Sequence, residues 1–410
     1  MMIMNNERIH KCVPARRFPE FKNDGEWVKS IFSEVLVFLP NNTLSRADLN
    51  YDKGVVKNIH YGDVLIKFGE SLDVKESGLP FILDENNAQK ARQGALKNGD
   101  VVIADTAEDE VVGKCTEVTN LTNEIVVSGL HTIPVRPNVP FASSFLGFYL
   151  NSESYRKQLK PLMQGIKVIA LPKGSLSTTK VVYPRNIEEQ RKIADCLSSM
   201  NDLISATKNK LELLKKQKNG LMQKLFPAKG KTVPEIRFKE FEKNGEWVKV
   251  LLKDVIEVNS GRDYKHLDVG DIPVYGTGGY MLSVNQKLSD VDAVGIGRKG
   301  TIDKPQFLKA PFWTVDTLFF LTVKGDVVVE FLFYLAQIIP WKKYGEQTGV
   351  PGLTKNSIEN IEVLIPSKFE QRNIIRFLSL IDSEVEMLLN RMNFLKTCKK
   401  GLVQQVFPTL

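Results

Sequence analysis

Three short stretches in the second half of the chain combine glycine with basic, hydroxyl and aromatic side chains. They are Ser260-Gly261-Arg262-Asp263-Tyr264-Lys265-His266, Tyr275-Gly276-Thr277-Gly278-Gly279-Tyr280 and Gly297-Arg298-Lys299-Gly300-Thr301. Trp341-Lys342-Lys343-Tyr344 and Thr354-Lys355-Asn356 extend the set. In the first half the comparable stretches are Gln89-Lys90-Ala91-Arg92-Gln93, Arg156-Lys157-Gln158 and Gln164-Gly165-Ile166-Lys167. An arginine fork can engage both acceptors of a guanine edge, and a carboxamide matches the acceptor–donor pair of adenine. Lysine, threonine and backbone N–H groups hold phosphates. This is the chemistry of recognition rather than of bond breaking. The residues singled out for DNA contact are Arg92, Gln93, Lys167, Arg262, Lys265, Tyr275, Thr277, Arg298, Lys299, Thr301, Lys343 and Lys355.

Catalytic constellations are missing. Gly295-Ile-Gly297-Arg-Lys-Gly300 fits GxGxxG in form, but a dinucleotide loop must open a helix onto the pyrophosphate, and Pro305 follows too soon. The acidic run Asp105, Glu108, Asp109 and Glu110 has no complementary histidine cluster, since the chain has four histidines, all far apart. No P-loop, HExxH, nucleophile elbow or Asn/Asp-Pro-Pro-aromatic motif occurs. The expectation is a non-catalytic chain with no metal site.

Bulk composition agrees with a nucleic-acid partner. Lys and Arg outnumber Asp and Glu by 56 to 48, a formal charge of +8 that favours a polyanion. Four dispersed cysteines (Cys12, Cys115, Cys196, Cys398) without a CxxC pair argue against a disulfide framework or zinc site and for a reducing compartment. The start MMIMNNERIHK lacks a long apolar run, and no stretch approaches membrane-spanning length, so a cytoplasmic location away from membranes is expected.

What must position the candidate residues is legible as a repeat. VPARRFPEFKNDGEWVK at 13–29 returns as VPEIRFKEFEKNGEWVK at 233–249, with 11 of 17 positions identical at an offset of 220. Residues 186–227 return at 367–408 with 15 of 42 identical, now at an offset of 181. Phe148-Tyr149-Leu150 has a fainter echo in Phe333-Tyr334-Leu335. The intervening modules differ in length by 220 − 181 = 39 residues and have diverged. Matched frames around unlike modules point to two different ligands, or to two parts of one.

Each second block reads as a long helix. Asn186 with Glu189, and Ser367 with Glu370, have capping-box spacing, and Pro227 and Pro408 end the blocks. The seam Ile193, Leu197, Met200, Ile204, Thr207, Leu211, Leu214, Lys218, Leu221, Leu225 alternates steps of four and three. So does Ile374, Leu378, Ile381, Val385, Leu388, Met392, Leu395, Lys399, Leu402, Val406. A sustained period of about 3.5 residues predicts a coiled coil, here an antiparallel pair within the chain, each helix roughly 60 Å long. Residues 30–185 and 250–366 read as β-rich modules. Strands are expected after Gly62-Asp63, Gly99-Asp100 and Gly325-Asp326, and helices over 143–160 and 327–344. The aromatic residues of those two helices are read as core.

These parts together resemble the specificity subunits of type I restriction–modification systems. The resemblance lies in the RFPEF…GEW and RFKEF…GEW openings, the helix starts IEEQRKI and FEQRNII, and the helix ends LMQKLFP and LVQQVFP. The string Gly349-Val-Pro-Gly-Leu-Thr-Lys-Asn-Ser-Ile-Glu-Asn-Ile361 belongs with them, and Gln164 to Pro184 lacks a clear counterpart. The resemblance implies an α+β chain with pseudo-two-fold symmetry from duplication. Its parts would be a first target-recognition domain (1–185), a spacer helix (186–227), a second recognition domain (228–366) and a second helix (367–410). Each domain would read one half of a bipartite, asymmetric double-stranded DNA site, while the helices set the spacer and dock two methyltransferase subunits. S-adenosylmethionine, ATP and Mg would belong to the methyltransferase and restriction subunits, not to this chain. Helices alone would also suit a coiled-coil adaptor that never touches bases.

Overall fold

The two repeated blocks build the frame by meeting each other. The computed structural model describes residues 12–345 and 352–409, and the chain divides into two compact units. One is Met1–Ala206 with Arg391–Leu410, the other Thr207–Asn390. The first long helix, Ile187–Leu225, and the second, Lys368–Val406, each run 39 residues and contribute to both units.

In the first unit a five-stranded sheet runs in the order Leu36–Phe38, Thr132–Pro137, Val101–Ala104, Cys115–Thr119, Ser71–Asp73. Beside it is a four-stranded sheet of Ile125–Ser128, Val56–Ile59, Phe81–Ile82 and Leu49–Asn50. Val101–Ala104 is buried at every position. Val101 and Ile103 join the large core, and Val102 and Ala104 a second one behind the sheet. A strand's alternation thus serves two cores, which explains why this run is apolar throughout.

The second unit repeats the device with other strands. A four-stranded sheet orders Ile256–Ser260, Leu318–Val323, Ala293–Gly297 and Gln306–Leu308. Phe319 and Leu321 enter the main core, while Leu318 and Phe320 enter a smaller cluster. A three-stranded sheet of Gly279–Val284, Val269–Gly276 and Trp313–Thr314 completes the module. In each unit a two-stranded ribbon ties the first repeat block to the strand just before the helix. Val28 faces Tyr183 and Val248 faces Ile365, and both last residues precede a proline.

All twenty seam positions are buried or half-buried. In the first unit Ile193 and Leu197, near the start of one helix, share a core with Val406 near the end of the other. In the second unit Met222 and Leu225 share one with Ile374 and Leu378, and Lys218 pairs with Asp382 and Lys210 with Glu384. Within each unit the helices are therefore antiparallel.

Several local expectations are corrected. Residues after Gly62-Asp63 form a helix, Tyr61–Ile66, not a strand: His60 Nδ1 accepts from Gly62 N at 3.2 Å, and Val64 alone of the run is fully buried while Ile66 is 88% exposed. The valines after Gly325-Asp326 lead into a helix, Val329–Ile338, because Gln371 Oε1 accepts from Val328 N at its start. The run after Gly99-Asp100 is the expected strand. Residues 143–160 hold two helices, Phe145–Asn151 and Glu153–Leu159, separated at Ser152, whose Oγ caps the second through Tyr155 N. The helix in 327–344 stops before Pro340, and Trp341–Lys343 is a short turn. Phe145, Phe148, Tyr149, Phe331 and Tyr334 are buried, as core side chains.

One buried acid shapes the first unit. Glu117 accepts from Ser144 N at 2.6 Å and Gly147 N at 2.9 Å, capping Phe145–Asn151 from a neighbouring strand. Burial pushes its carboxyl up to about 7, against the lowering effect of those N–H groups.

Candidate nucleic-acid interface

The frame that carries the modules is held by a duplicated clasp. Arg17 Nε and Nη2 donate to the two oxygens of Glu189 at 2.7 Å each, and Trp27 Nε1 donates to Glu189 Oε1 at 3.2 Å. In the second unit Arg237 makes the same fork to Glu370 at 2.8 Å, and Trp247 Nε1 donates at 3.2 Å. The next residue repeats too. Gln190 accepts from Ala142 N and donates to Pro184 O, and Gln371 accepts from Val328 N and donates to Pro366 O. The capping-box expectation is thereby half corrected. Asn186 and Ser367 do accept from the first turn, from Glu188 N and Glu370 N. Glu189 and Glu370 turn instead to Arg and Trp, since a bidentate charged partner outweighs one backbone N–H. Phe226 packs on Trp247, and Phe407 on Trp27, so each Phe-Pro helix end seals a core beside a clasp.

A second, half-buried ion pair lies at the seam. Lys218 pairs with Asp382, which also accepts from Tyr334 OH at 2.8 Å. At the duplicated position Asn201 replaces the aspartate, and Lys399 pairs instead with Glu70, to which Asn201 donates at 3.1 Å. Burial raises the Glu70 carboxyl, and Lys399 more than offsets it, holding it below the usual carboxylate range.

In the second unit the segment Trp313 to Leu318 gathers most of the candidate DNA contacts. Thr314 O accepts from Arg262 N at 2.9 Å, and Trp313 Nε1 donates to Arg262 O at 2.9 Å. Tyr275 O accepts from Val315 N at 3.0 Å, and Thr317 O from Arg298 N at 2.8 Å. Arg298 O then accepts from Leu353 N at 2.8 Å, Lys299 bridges Gly352, and Lys342 pairs with Asp303. The loops bearing Arg262, Lys265, Tyr275, Thr277, Arg298, Lys299, Thr301, Lys343 and Lys355 are thus linked in one chain of contacts. Two glycines allow it: a Cβ on Gly261 would sit 1.9 Å from Val315 O, and one on Gly297 2.2 Å from Thr301 O.

Arg262, Lys265, Arg298, Lys299, Lys343 and Lys355 are exposed, while Tyr275, Thr277 and Thr301 are half-buried. None of these basic side chains forms an ion pair with a described residue, and Arg298 lies over the Phe319 ring at 5.7 Å. Their charge is available to a polyanion. Gly295–Gly300 runs from a strand into a turn with Gly300 at φ 78°, with no helix to meet a pyrophosphate. Gly349, Val350 and Pro351 of the glycine-proline string lie outside the described residues, and its Lys355–Glu359 forms a short helix.

In the first unit the candidates separate. Arg92 and Gln93 stand exposed on the turn Arg92–Gly94, and Lys167 on a loop closed by the Gln164–Ala170 bridge. Arg156 and Gln158 serve the fold instead: Arg156 donates to Glu110 O and Val112 O, and Gln158 exchanges hydrogen bonds with the Lys180 backbone. Trp341 is 1% exposed and offers no stacking face. The stretch from Gln164 to Pro184 does have a structural counterpart, for Lys173–Ser177 then Lys180–Tyr183 repeats the helix and strand Lys355–Glu359 then Glu362–Ile365. Sequence reasoning missed the clasp, although the repeated Arg, Trp and Glu-Gln were its signal.

A family model for the type I restriction modification DNA specificity domain matches residues 244–395. The type I restriction enzyme MjaVIII specificity subunit of Methanocaldococcus jannaschii is 26% identical over 288 residues, covering 60% of this chain and 65% of the relative. The chain thus spans just under two thirds of that relative's length. The putative type I restriction enzyme MjaX specificity subunit of the same organism is 23% identical over 355 residues, covering 81% and 82%. Among solved structures, the type I restriction-modification system S subunit from M. genitalium matches with a TM-score of 0.60 at 15% identity, over 97% of this chain and 100% of that one. A structure described as showing complex assembly and conformational transition of the type I R-M system matches at 0.55 and 18% identity, over 93% and 97%. The structural likeness speaks for the fold, and the sequence matches speak for the family. With the duplicated clasp, the paired helices and the two unlike modules, they lead to one conclusion: residues 244–395 match the type I restriction modification DNA specificity domain, and the chain is similar to type I specificity subunits in sequence and in fold.

Proposed function

We propose that this chain selects the DNA sequence on which a type I restriction–modification complex acts, each unit's module recognising one half of a bipartite, asymmetric site. The observation that carries this is the duplicated clasp: identical Arg–Glu–Trp joints mount two modules with different sheets on two equivalent helices. One frame with two different readers is the arrangement a split, asymmetric site requires, since half-site spacing is set by protein geometry. The paired helices act as the spacer and receive two methyltransferase subunits, with restriction subunits joining them. The chain itself is non-catalytic, working in the cytoplasm. S-adenosylmethionine, ATP and Mg serve the partner subunits. No helix among the described residues is long and apolar enough to cross a membrane. An adaptor without base contacts finds no support in the relatives, which are specificity subunits.

The test is to map methylated bases in cells expressing this chain with its methyltransferase. A motif of two defined halves around an unspecified spacer, lost when the chain is deleted, is the expected result. Methylation without a split motif would overturn the reading.

A further inference from the structure

We infer that the helix Glu85–Ala91, prolonged by the turn Arg92–Gly94, is the element with which the first unit reads base pairs in the major groove, and that its outward carboxamides select adenine. This deepens the proposed function and rests on it. The inference begins with what the helix buries. Ala88 is buried and Ala91 half-buried against the small cluster of Val56, Ile82 and Val127. At about 100° per residue, the side opposite these alanines carries Asn86, Gln89, Lys90 and, in the turn, Gln93. Asn87 and Arg92 flank it.

The side chains on this face are unspent. Asn86, Asn87, Gln89, Lys90, Arg92 and Gln93 make no side-chain hydrogen bond or ion pair with any described residue. The helix does not need them for its own stability, because Asp84 Oδ1 caps it through Asn87 N at 2.7 Å. A merely solvated helix gains from Glu–Lys pairs one turn apart, yet Glu85 is the only acid here. The face is instead carboxamide-rich with two cations. It stands as a ridge between two grooves, one of mixed charge lined by Asn50, Asp52, Lys53, Glu85 and Arg92, the other, without an acid, by Asn41, Asn87, Lys90 and Gln93. A helix fits the major groove, where Asn and Gln pair with the N6–H and N7 of adenine while Lys and Arg hold phosphates.

The test uses the chain assembled with its methyltransferase subunits and compares two variants. One is Asn86→Ala with Gln89→Ala and Gln93→Ala; the other is Lys90→Ala with Arg92→Ala. The carboxamide variant is expected to assemble normally, to lose roughly tenfold or more discrimination at one or two positions of one half-site, and to leave the other half-site unchanged. The cation variant is expected to keep the motif and to weaken binding to all sites, with a salt dependence shallower by about two. Gln89→Glu, which is nearly isosteric, gives a second reading of base choice should the triple variant fail to assemble, and is expected to lose adenine at its position. An unchanged motif in the carboxamide variant and in Gln89→Glu, or a change in both half-sites, would overturn the inference while leaving the proposed function standing. A wild-type complex with no split motif would overturn both.

Discussion

Arg17 and Glu189, 172 positions apart, meet in two parallel hydrogen bonds of 2.7 Å with side chains only 7% and 1% exposed. The pair joins the opening repeat block to the start of the long helix. Removing one member of such a pair strands a buried charge, and that cost exceeds what the pair itself contributes.

Arg17→Ala is therefore expected to destabilise the first unit by about 3 kcal/mol or more, read as a lower urea midpoint. Arg17→Met with Glu189→Leu should recover much of the loss, though not all, because Trp27 Nε1 then lacks its acceptor. Equal midpoints for Arg17→Ala and wild type would show that the clasp is not structural.

Lys218 is 13% exposed and pairs, among the described residues, with Asp382 alone. Asp382→Asn copies the Asn201 found at the duplicated position, but without the second carboxylate that Glu70 supplies there. The expected cost is about 2 kcal/mol, between the values for exposed and buried pairs, measured by chemical unfolding. A smaller loss than for a surface pair would mean that Lys218 reaches solvent.

Glu117 sets a pH dependence. Its folded-state carboxyl titrates near 7, above an ordinary value of 4.5, because burial disfavours the charge. The folded chain holds this proton more tightly, so its contribution is full below the ordinary value and is lost as pH rises through about 7. Stability is expected to fall by roughly 3 kcal/mol across that window. Glu117→Gln should flatten the fall, measured as melting temperature against pH. A wild-type curve that rises over the same window would contradict the assignment.

Lys299 is exposed and unpaired among the described residues. Lys299→Ala in the assembled complex is expected to weaken binding evenly across sequences and to reduce the salt slope by about one. Arg298, stacked over Phe319, is the better placed for base contact, so Arg298→Ala should also relax the motif at one position. Unaltered salt slope and motif in both variants would remove this loop from the interface.

The frame is legible in the repeat alone. Identical Arg, Trp and Glu-Gln positions and a seam of twenty residues, all but Thr207 apolar or matched, mark the two helices and their duplication. Helical period is a local property, and every one of those seam positions is turned from solvent. The modules are less legible. Val64-Leu65-Ile66 and Val327-Val328-Val329 read as strands by composition, yet a His60 cap and a Gln371 acceptor, one local and one distant, make them helix or helix entry.

What the sequence determined by itself was the plan: two matched frames, two unlike modules, a net positive charge and no recognisable catalytic motif. Tertiary structure decided which polar residues are spent and which remain free. Glu189 and Glu370 look like capping residues and are clasps, and Arg156 looks like a DNA contact and is bound to backbone carbonyls. The physical reason is that a charged side chain's role depends on which partner approaches it, and these partners arrive from tens to hundreds of residues away.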